Sequence, residues 1–311
     1  MKLKEKSLKE IKEILKKEKD FKDISKWKFE HIKLGEMQHK YKISKGKRVY
    51  FVKELKIHEA QMEYFLSVLK LEHLPYSLYP KLLNEKVLVR KFILGKMLRS
   101  KKIDLGLLRD FVIMRNKLNN EKFFDKYNIL KLKNYSQKDD GFYEKGLKGN
   151  FAYAPRVLKK LGKYKLKEVD DFWKILRHIK KDKKSIIKDS VNMPFAKQHQ
   201  DFREDNIIVG KDGKQKLIDW GSSYGYRSFM YDPVPFLVNN PRALKAYIKN
   251  SDNCKGISDE QIKRWIYVAL AARFLDVIRW RLHPNEKRAE TKKSCKKFLS
   301  YEYKTYRELL K

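Results

Sequence analysis

Three side chains in one short stretch have the types and spacing that phosphoryl transfer requires. Residues 198–232 contain His199-x-Asp201-x-x-x-x-Asn206, the apolar run Ile207-Ile208-Val209, a Lys211-Asp212-Gly213-Lys214 turn, and a second apolar run ending in Ile218-Asp219-Trp220. Moving a phosphoryl group onto a hydroxyl needs one carboxylate to take the hydroxyl proton. It also needs an amide oxygen and a second carboxylate to hold Mg²⁺ on the nucleotide phosphates. Asp201 has the place of the base. Asn206 can turn back into the site from the far side of the loop, and Asp219 arrives from the end of the neighbouring strand. These two are the candidate metal ligands. A polar turn can also do no more than bond to itself. With 7 His, 19 Asp and 14 Asn in 311 residues, chance supplies ~0.02 copies of the spaced triplet. The hairpin and its terminal Asp make coincidence rarer still.

The pattern around these residues says how they must be held. The two apolar runs and the turn between them read as strand, hairpin and strand, following a catalytic loop. Upstream, residues 29–34, 40–44 and 48–55 read as short antiparallel strands separated by turns, and a helix begins near Glu59. Pro80 is expected to begin a strand, with a central strand over 86–93 that Gly95 ends. Residues 104–130 carry Leu107, Leu108, Phe111, Val112, Met114 and Leu118 at helical spacing. The glycines and the proline of 131–165 suggest an irregular surface insertion. A helix over 169–187 then leads to a strand at 193–196. Residues 260–282 and 292–310 are helical, with Trp265, Leu275 and Ile278 as core. Arg273, Arg279 and Arg281 point either into a groove or into water.

The segments HQDFREDNIIV and KLIDWG resemble the catalytic and metal-binding segments of the aminoglycoside phosphotransferase and choline kinase group. These are small-molecule kinases with the two-lobed protein-kinase fold; lipopolysaccharide core sugar kinases are more distant kin. Gln200 stands where small-molecule kinases most often have Gly and protein kinases have Arg. Asp-Trp-Gly in place of Asp-Phe-Gly favours the small-molecule branch. The resemblance implies an α+β, two-lobed fold: a small, mainly antiparallel β N-lobe with one helix, and a larger helical C-lobe. It divides the chain into a basic N-terminal helix (1–22), a nucleotide-binding lobe and hinge (23–93), and a C-lobe (94–311) carrying the catalytic loop (198–220). It implies ATP or GTP with Mg²⁺. Lys53, in the third strand, is where this fold places the lysine for the nucleotide phosphates. Glu59 and Glu63, one turn apart, could each pair with it, and the run Glu-Ala-x₅-Leu favours Glu59. Gly35 is the lone glycine of the first strand turn, since no Gly-x-Gly-x-x-Gly loop is present. Arg90, Phe92 and Ile93 fall on the hinge that meets the adenine edge. His199 braces the loop, Asp232 is structural, and Arg203 reaches either a phosphate or a neighbouring acid.

Charge narrows the acceptor. Lys+Arg 75 against Asp+Glu 39 gives +36, a field that draws polyanions and repels a polycation such as an aminoglycoside. An anionic, saccharide-like acceptor suits it, as does contact with a polyanion or an anionic membrane surface. A nucleic-acid-binding protein with a kinase-like body is the alternative, although no nucleic-acid motif is present. The Lys-rich residues 1–22 form an amphipathic helix with Leu8, Ile11, Ile14 and Leu15 on one face, which packs on the first lobe or meets a membrane surface. No signal peptide or transmembrane segment is expected. Cys254 and Cys295 form neither a metal spacing nor a disulfide framework. A cytoplasmic protein follows, with the inner membrane face as an optional peripheral site.

Overall fold

The computed structural model describes residues 6–32, 39–118, 140–197, 199–220, 226–282 and 290–311. Two units divide the chain: residues 1–137 with 199–225, and residues 138–198 with 226–311.

In the first unit Ser7 opens helix α1 (Leu8–Leu15). Its hydroxyl accepts from the Glu10 amide while the Glu10 carboxylate takes the Ser7 N–H, a reciprocal cap. The helix is shorter than the one expected over 1–22. Past Leu15 the chain runs through two 3₁₀ turns, Lys19–Phe21 and Ile24–Lys26. The reason is packing: Ile24 and Trp27 enter the same core as Ile11, Ile14 and Leu15, and a continuous helix would carry them round to the opposite side.

This core closes on a four-stranded antiparallel sheet in the order β1 (Lys28–His31), β2 (Lys40–Lys45), β3 (Arg48–Glu54), β4 (Val87–Lys91). Tyr41, Ile43, Val52, Val87 and Val89 face it, alternate residues of their strands as a period of two requires. The sheet therefore covers the apolar stripe of α1 among the described residues. Two expectations for 79–93 change. Pro80 begins a 3₁₀ turn, Pro80–Leu83, rather than a strand, because a residue without an N–H suits the first position of a helical turn. Among the described residues the strand β4 pairs with no strand but β3, so it is an edge strand and not a central one.

Helix α2 (Ile57–Leu69) connects β3 towards β4 and ends at Lys70 in the left-handed conformation. A second sheet has the order β5 (Gly95–Met97), β7 (Ile207–Gly210), β8 (Gln215–Leu217). Its hairpin pairs Ile207 with Leu217 and Val209 with Gln215, as the sequence predicts. A Cβ at Gly95 would lie 2.1 Å from the Val209 carbonyl oxygen, so only glycine lets β5 approach β7 this closely. Helix α3 (Leu105–Leu118) covers the first half of the helix expected over 104–130; residues 119–139 lie outside the described chain.

The second unit is mainly helical: α4 (Asp140–Leu161), α5 (Lys167–Lys181), α6 (Lys183–Asn192), α7 (Val234–Leu237), α8 (Pro241–Asn250), α9 (Asp259–Asp276) and α10 (Lys292–Tyr306). One two-stranded ribbon, β6 (Phe195–Lys197) with β9 (Tyr226–Ser228), completes it. The irregular insertion expected over 131–165 is instead α4 across its described part. Leu147, Phe151, Ala154, Leu158 and Leu161 are buried at alternating spacings of four and three. That helical stripe outweighs Gly146, Gly149 and the internal Pro155. Arg264 of α9 pins α6, donating to Asp182 at 2.6 Å, Asp189 at 2.7 Å and Ser185 at 2.6 Å. Trp265, Leu275 and Ile278 are core residues, as expected. Both cysteines are free and buried. Among the described residues no helix is long and apolar enough to cross a membrane.

Candidate active site

All residues of the candidate site belong to the first unit. Alternation along β3 sends Val52 into the core and Lys53 to the other face, where the lysine is 3% exposed. Its Nζ donates to a Glu59 carboxylate oxygen and, at 3.0 Å, to Asp219 Oδ1. Glu59 sits in the first turn of α2, where the helix dipole favours a carboxylate. Burial disfavours the Lys53 ammonium, but Glu59 and Asp219 outweigh it and hold the pKa above the ordinary lysine value. Burial likewise pushes the Asp219 carboxyl up. Lys53, and after it Lys40 and His199, reverse that and keep it well below the usual carboxylate range. Asp219 is thus an anion held ready, with 40% of its side chain exposed.

The catalytic-loop residues are held as tightly. Asn206 donates from Nδ2 to the Asp201 carbonyl at 2.8 Å and to Asp201 Oδ2 at 2.7 Å. Arg203 Nε stands 2.9 Å from Asp201 Oδ1, so this arginine pairs in charge with the neighbouring acid without a hydrogen bond from that nitrogen. Asn206 therefore orients one oxygen of Asp201, and Arg203 lies beside the other. His199 is fully buried, donates from Nε2 to the Ile218 carbonyl at 2.9 Å and lies edge-on to Trp220. It ties the loop to the Asp219 strand, the bracing role expected of it. The Ile218 amide closes the same link from the other side, donating to the Asn206 carbonyl at 2.8 Å.

Two residues of this frame hold left-handed backbone, Gln200 at φ 63° and Asp219 at φ 62°. Non-glycine side chains are uncommon there, and such strain persists where the surroundings over-determine it.

The donor set suits a hard cation. Asn206 spends Nδ2 on Asp201, which leaves its carbonyl oxygen Oδ1 without a hydrogen bond among the described residues. With the ionised Asp219 it offers two oxygen ligands. Among the described residues there is no cluster of three or more His, Cys, Asp or Glu. An ion here would draw its remaining ligands from water and phosphate, as Mg²⁺ does.

Three charged residues near Lys53 were not legible as a group. Lys40 lies opposite Lys53 in the β2–β3 register, with Nζ 4.0 Å from Asp219 Oδ2. Burial lowers its pKa, Asp219 opposes that, and the Lys53 ammonium adds to the lowering. Glu63 of α2 is buried with Oε2 unpartnered, and burial raises its pKa to about 7 although Arg90 pulls the other way. Arg90 is buried over the Phe51 ring, 4.8 Å from its centroid, with Nη1 unpartnered. Strand register could have signalled Lys40, had the pairing been assigned residue by residue.

The remaining expected site residues are less tightly gathered. Arg90 lies within β4, and the Phe92 amide bonds the Val49 carbonyl at 3.2 Å. Ile93 follows the strand and lines, with Phe92, a groove of about 610 Å³. Gly35 lies outside the described residues.

No protein-family model matches the chain, and no curated protein sequence matches it. Among solved structures, choline kinase from Cryptosporidium parvum Iowa II superposes with a TM-score of 0.52 at 12% identity, covering 97% of this chain and 95% of that one. The chain has the fold of choline kinase. An ethanolamine kinase from Plasmodium vivax gives a TM-score of 0.47 at 14% identity, over 97% of this chain and 89% of its own. The choline kinase LicA from Streptococcus pneumoniae gives 0.44 at 13%, over 95% and 99%. At these identities the choline-kinase likeness concerns the fold alone.

Proposed function

We propose that the protein is a nucleotide- and Mg²⁺-dependent phosphotransferase that phosphorylates a hydroxyl of a small or saccharide-like, anionic acceptor. One observation carries the reading. Lys53 is buried between Glu59 and Asp219, in the same unit as an Asp201 hydrogen-bonded by Asn206 and paired in charge with Arg203.

In this reading Asp201 orients the acceptor hydroxyl and takes its proton as the oxygen attacks the γ-phosphorus. The bond from that phosphorus to the bridging oxygen breaks, and the nucleoside diphosphate leaves. Lys53, fixed by Glu59, positions the phosphates. Asn206 and Asp219 hold the metal, which when bound neutralises charge developing on the phosphate oxygens. Backbone groups near Ile93 meet the base of ATP or GTP, while the Phe92 N–H serves the sheet. The nucleotide lobe of the reading spans residues 23–93, and acceptor recognition belongs to the C-lobe, residues 94–311.

Choline and ethanolamine kinases act on cationic amino-alcohols, whereas a chain of +36 repels a cation and gathers anions. That supports a phosphorylated or acidic saccharide as acceptor. The test is Mg²⁺-dependent nucleotide turnover by the wild type and Asp201→Ala, offered anionic saccharides, polyols and RNA. Turnover with one saccharide class that Asp201→Ala loses while still binding nucleotide supports the proposal. If nucleotide is neither bound nor turned over while RNA binds with a steep salt dependence, the proposal is wrong and the basic surface is the function.

A further inference from the structure

Lys40 opens β2 directly opposite Lys53 of β3, so the two side chains leave the same face of the sheet as a cross-strand pair. Like charges in that position destabilise a sheet unless something between them is negative. Here that something is Asp219: Lys53 Nζ reaches Oδ1 at 3.0 Å and Lys40 Nζ stands 4.0 Å from Oδ2. The two lysines are not equivalent. Lys53 has a second carboxylate, Glu59, in direct contact. Among the described residues Lys40 has Asp219 alone within ion-pair distance. Its side chain is nevertheless only 17% exposed, which is rare for a lysine without a dedicated partner.

Two ammonium groups face two carboxylates, but among the described residues Lys40 has no anion closer than 4.0 Å, while it is carried on a strand and aimed at the acid that the proposed function assigns to the metal. A polyphosphate brings the close anionic contact that Lys40 lacks. The sequence has another gap that Lys40 fills. Phosphate-binding loops cradle their ligand with backbone amides that glycines expose, and this chain has no Gly-x-Gly-x-x-Gly run before β2. A side-chain cation at the first residue of β2 supplies from a strand what such a loop supplies from its backbone.

Resting on the nucleotide reading above, we propose that Lys40 is a second phosphate-binding residue, which grips the nucleotide polyphosphate beside Lys53. Its opposite, a purely structural role, is neutralisation of Asp219.

The experiment is binding of Mg·ATP, AMP and adenosine by calorimetry to wild type, Lys40→Met and Lys40→Arg, with thermal unfolding of each. Lys40→Met keeps the length and apolar stem and removes the charge. The expected result is at least a tenfold loss of Mg·ATP affinity with adenosine affinity within twofold, so the ratio of the two collapses. Lys40→Arg should restore most of the Mg·ATP affinity. A proportional loss for ATP and adenosine, or no loss for either, overturns the assignment while the nucleotide reading stands. If the wild type binds neither ATP nor adenosine, the nucleotide reading falls and takes this inference with it. Should Lys40→Met fail to fold, Lys40→Gln is judged by the same ratio.

Discussion

Asp219 in the first unit and Asp276 in the second are both carboxylates at the centre of a basic cluster, and they are built for opposite purposes. Asp276 is 7% exposed. It accepts from Asn150 Nδ2 on α4, from Arg227 Nη1 at 2.7 Å, and from the Tyr231 hydroxyl. Arg227 and Arg273 each stack on the Tyr231 ring, and Arg279 donates to Asn150 at 2.6 Å. Donors therefore engage both oxygens, and removing any of them strands a buried charge. Asp219 keeps an open edge. Its cationic partners are two lysine ammonium groups, Lys53 donating at 3.0 Å and Lys40 standing 4.0 Å away, point charges that rotate and reorient, and its backbone is held in the left-handed conformation. A saturated carboxylate fixes a fold, whereas a half-exposed one with exchangeable partners can bind something.

Substitutions at the two acids should break apart along that line. Asp219→Asn is expected to lower nucleotide turnover ~10³-fold, about 4 kcal/mol of barrier. Its unfolding free energy, read from urea denaturation, should change by no more than about 1 kcal/mol. A variant that unfolds would instead place Asp219 with the structural acids. Asp276→Ala should do the reverse, costing about 3–5 kcal/mol of stability by leaving Arg227 and Tyr231 without their acceptor. Chemical denaturation measures that loss. An Asp276→Ala protein with wild-type stability and no turnover would refute the comparison.

Glu63 sharpens it, as a buried acid that satisfies neither pattern. With a pKa raised to about 7 in the folded protein against about 4.5 when unfolded, the folded state holds its proton longer. The neutral form stabilises the fold fully below pH 4.5, and that contribution is lost as pH rises through 7. Glu63→Gln cannot lose it. Wild type and variant should thus have matching urea midpoints near pH 4 and separate progressively between pH 4.5 and 7. By pH 8 the variant should be about 3 kcal/mol the more stable. Parallel curves across that range would mean Glu63 is ionised and paired. The smallest effect belongs to Gln200. Gln200→Gly relieves the left-handed strain but gives the unfolded chain more freedom, so the two terms nearly cancel, within about 0.5 kcal/mol. Gln200→Val should cost over 1 kcal/mol, because a β-branched residue resists that φ.

The loop His199, Asp201, Asn206 and the hairpin to Asp219 were legible because their geometry is local. A handful of residues, a turn with its glycine and two short apolar runs fix where those side chains go, whatever packs around them. Lys53 and Glu59 were legible for a similar reason, being six residues apart across a single strand end. The helix α4 is not legible because its glycines and proline speak for local propensity, while its buried stripe speaks for packing, and packing decides. The edge position of β4 is not legible because composition reports burial and not the number of paired neighbours.

The sequence by itself determined which residues carry charge and chemistry and how near neighbours in the chain are set. Tertiary structure alone decided that Lys40 faces Lys53 across a register, and that Arg90 and Glu63 are buried, each with one side-chain atom left without a hydrogen bond among the described residues. It also decided that Asp276 is sealed while Asp219 stays open. The physical reason is that strand register and burial depend on what packs from distant parts of the chain. Charge and local backbone preference, in contrast, travel with each residue.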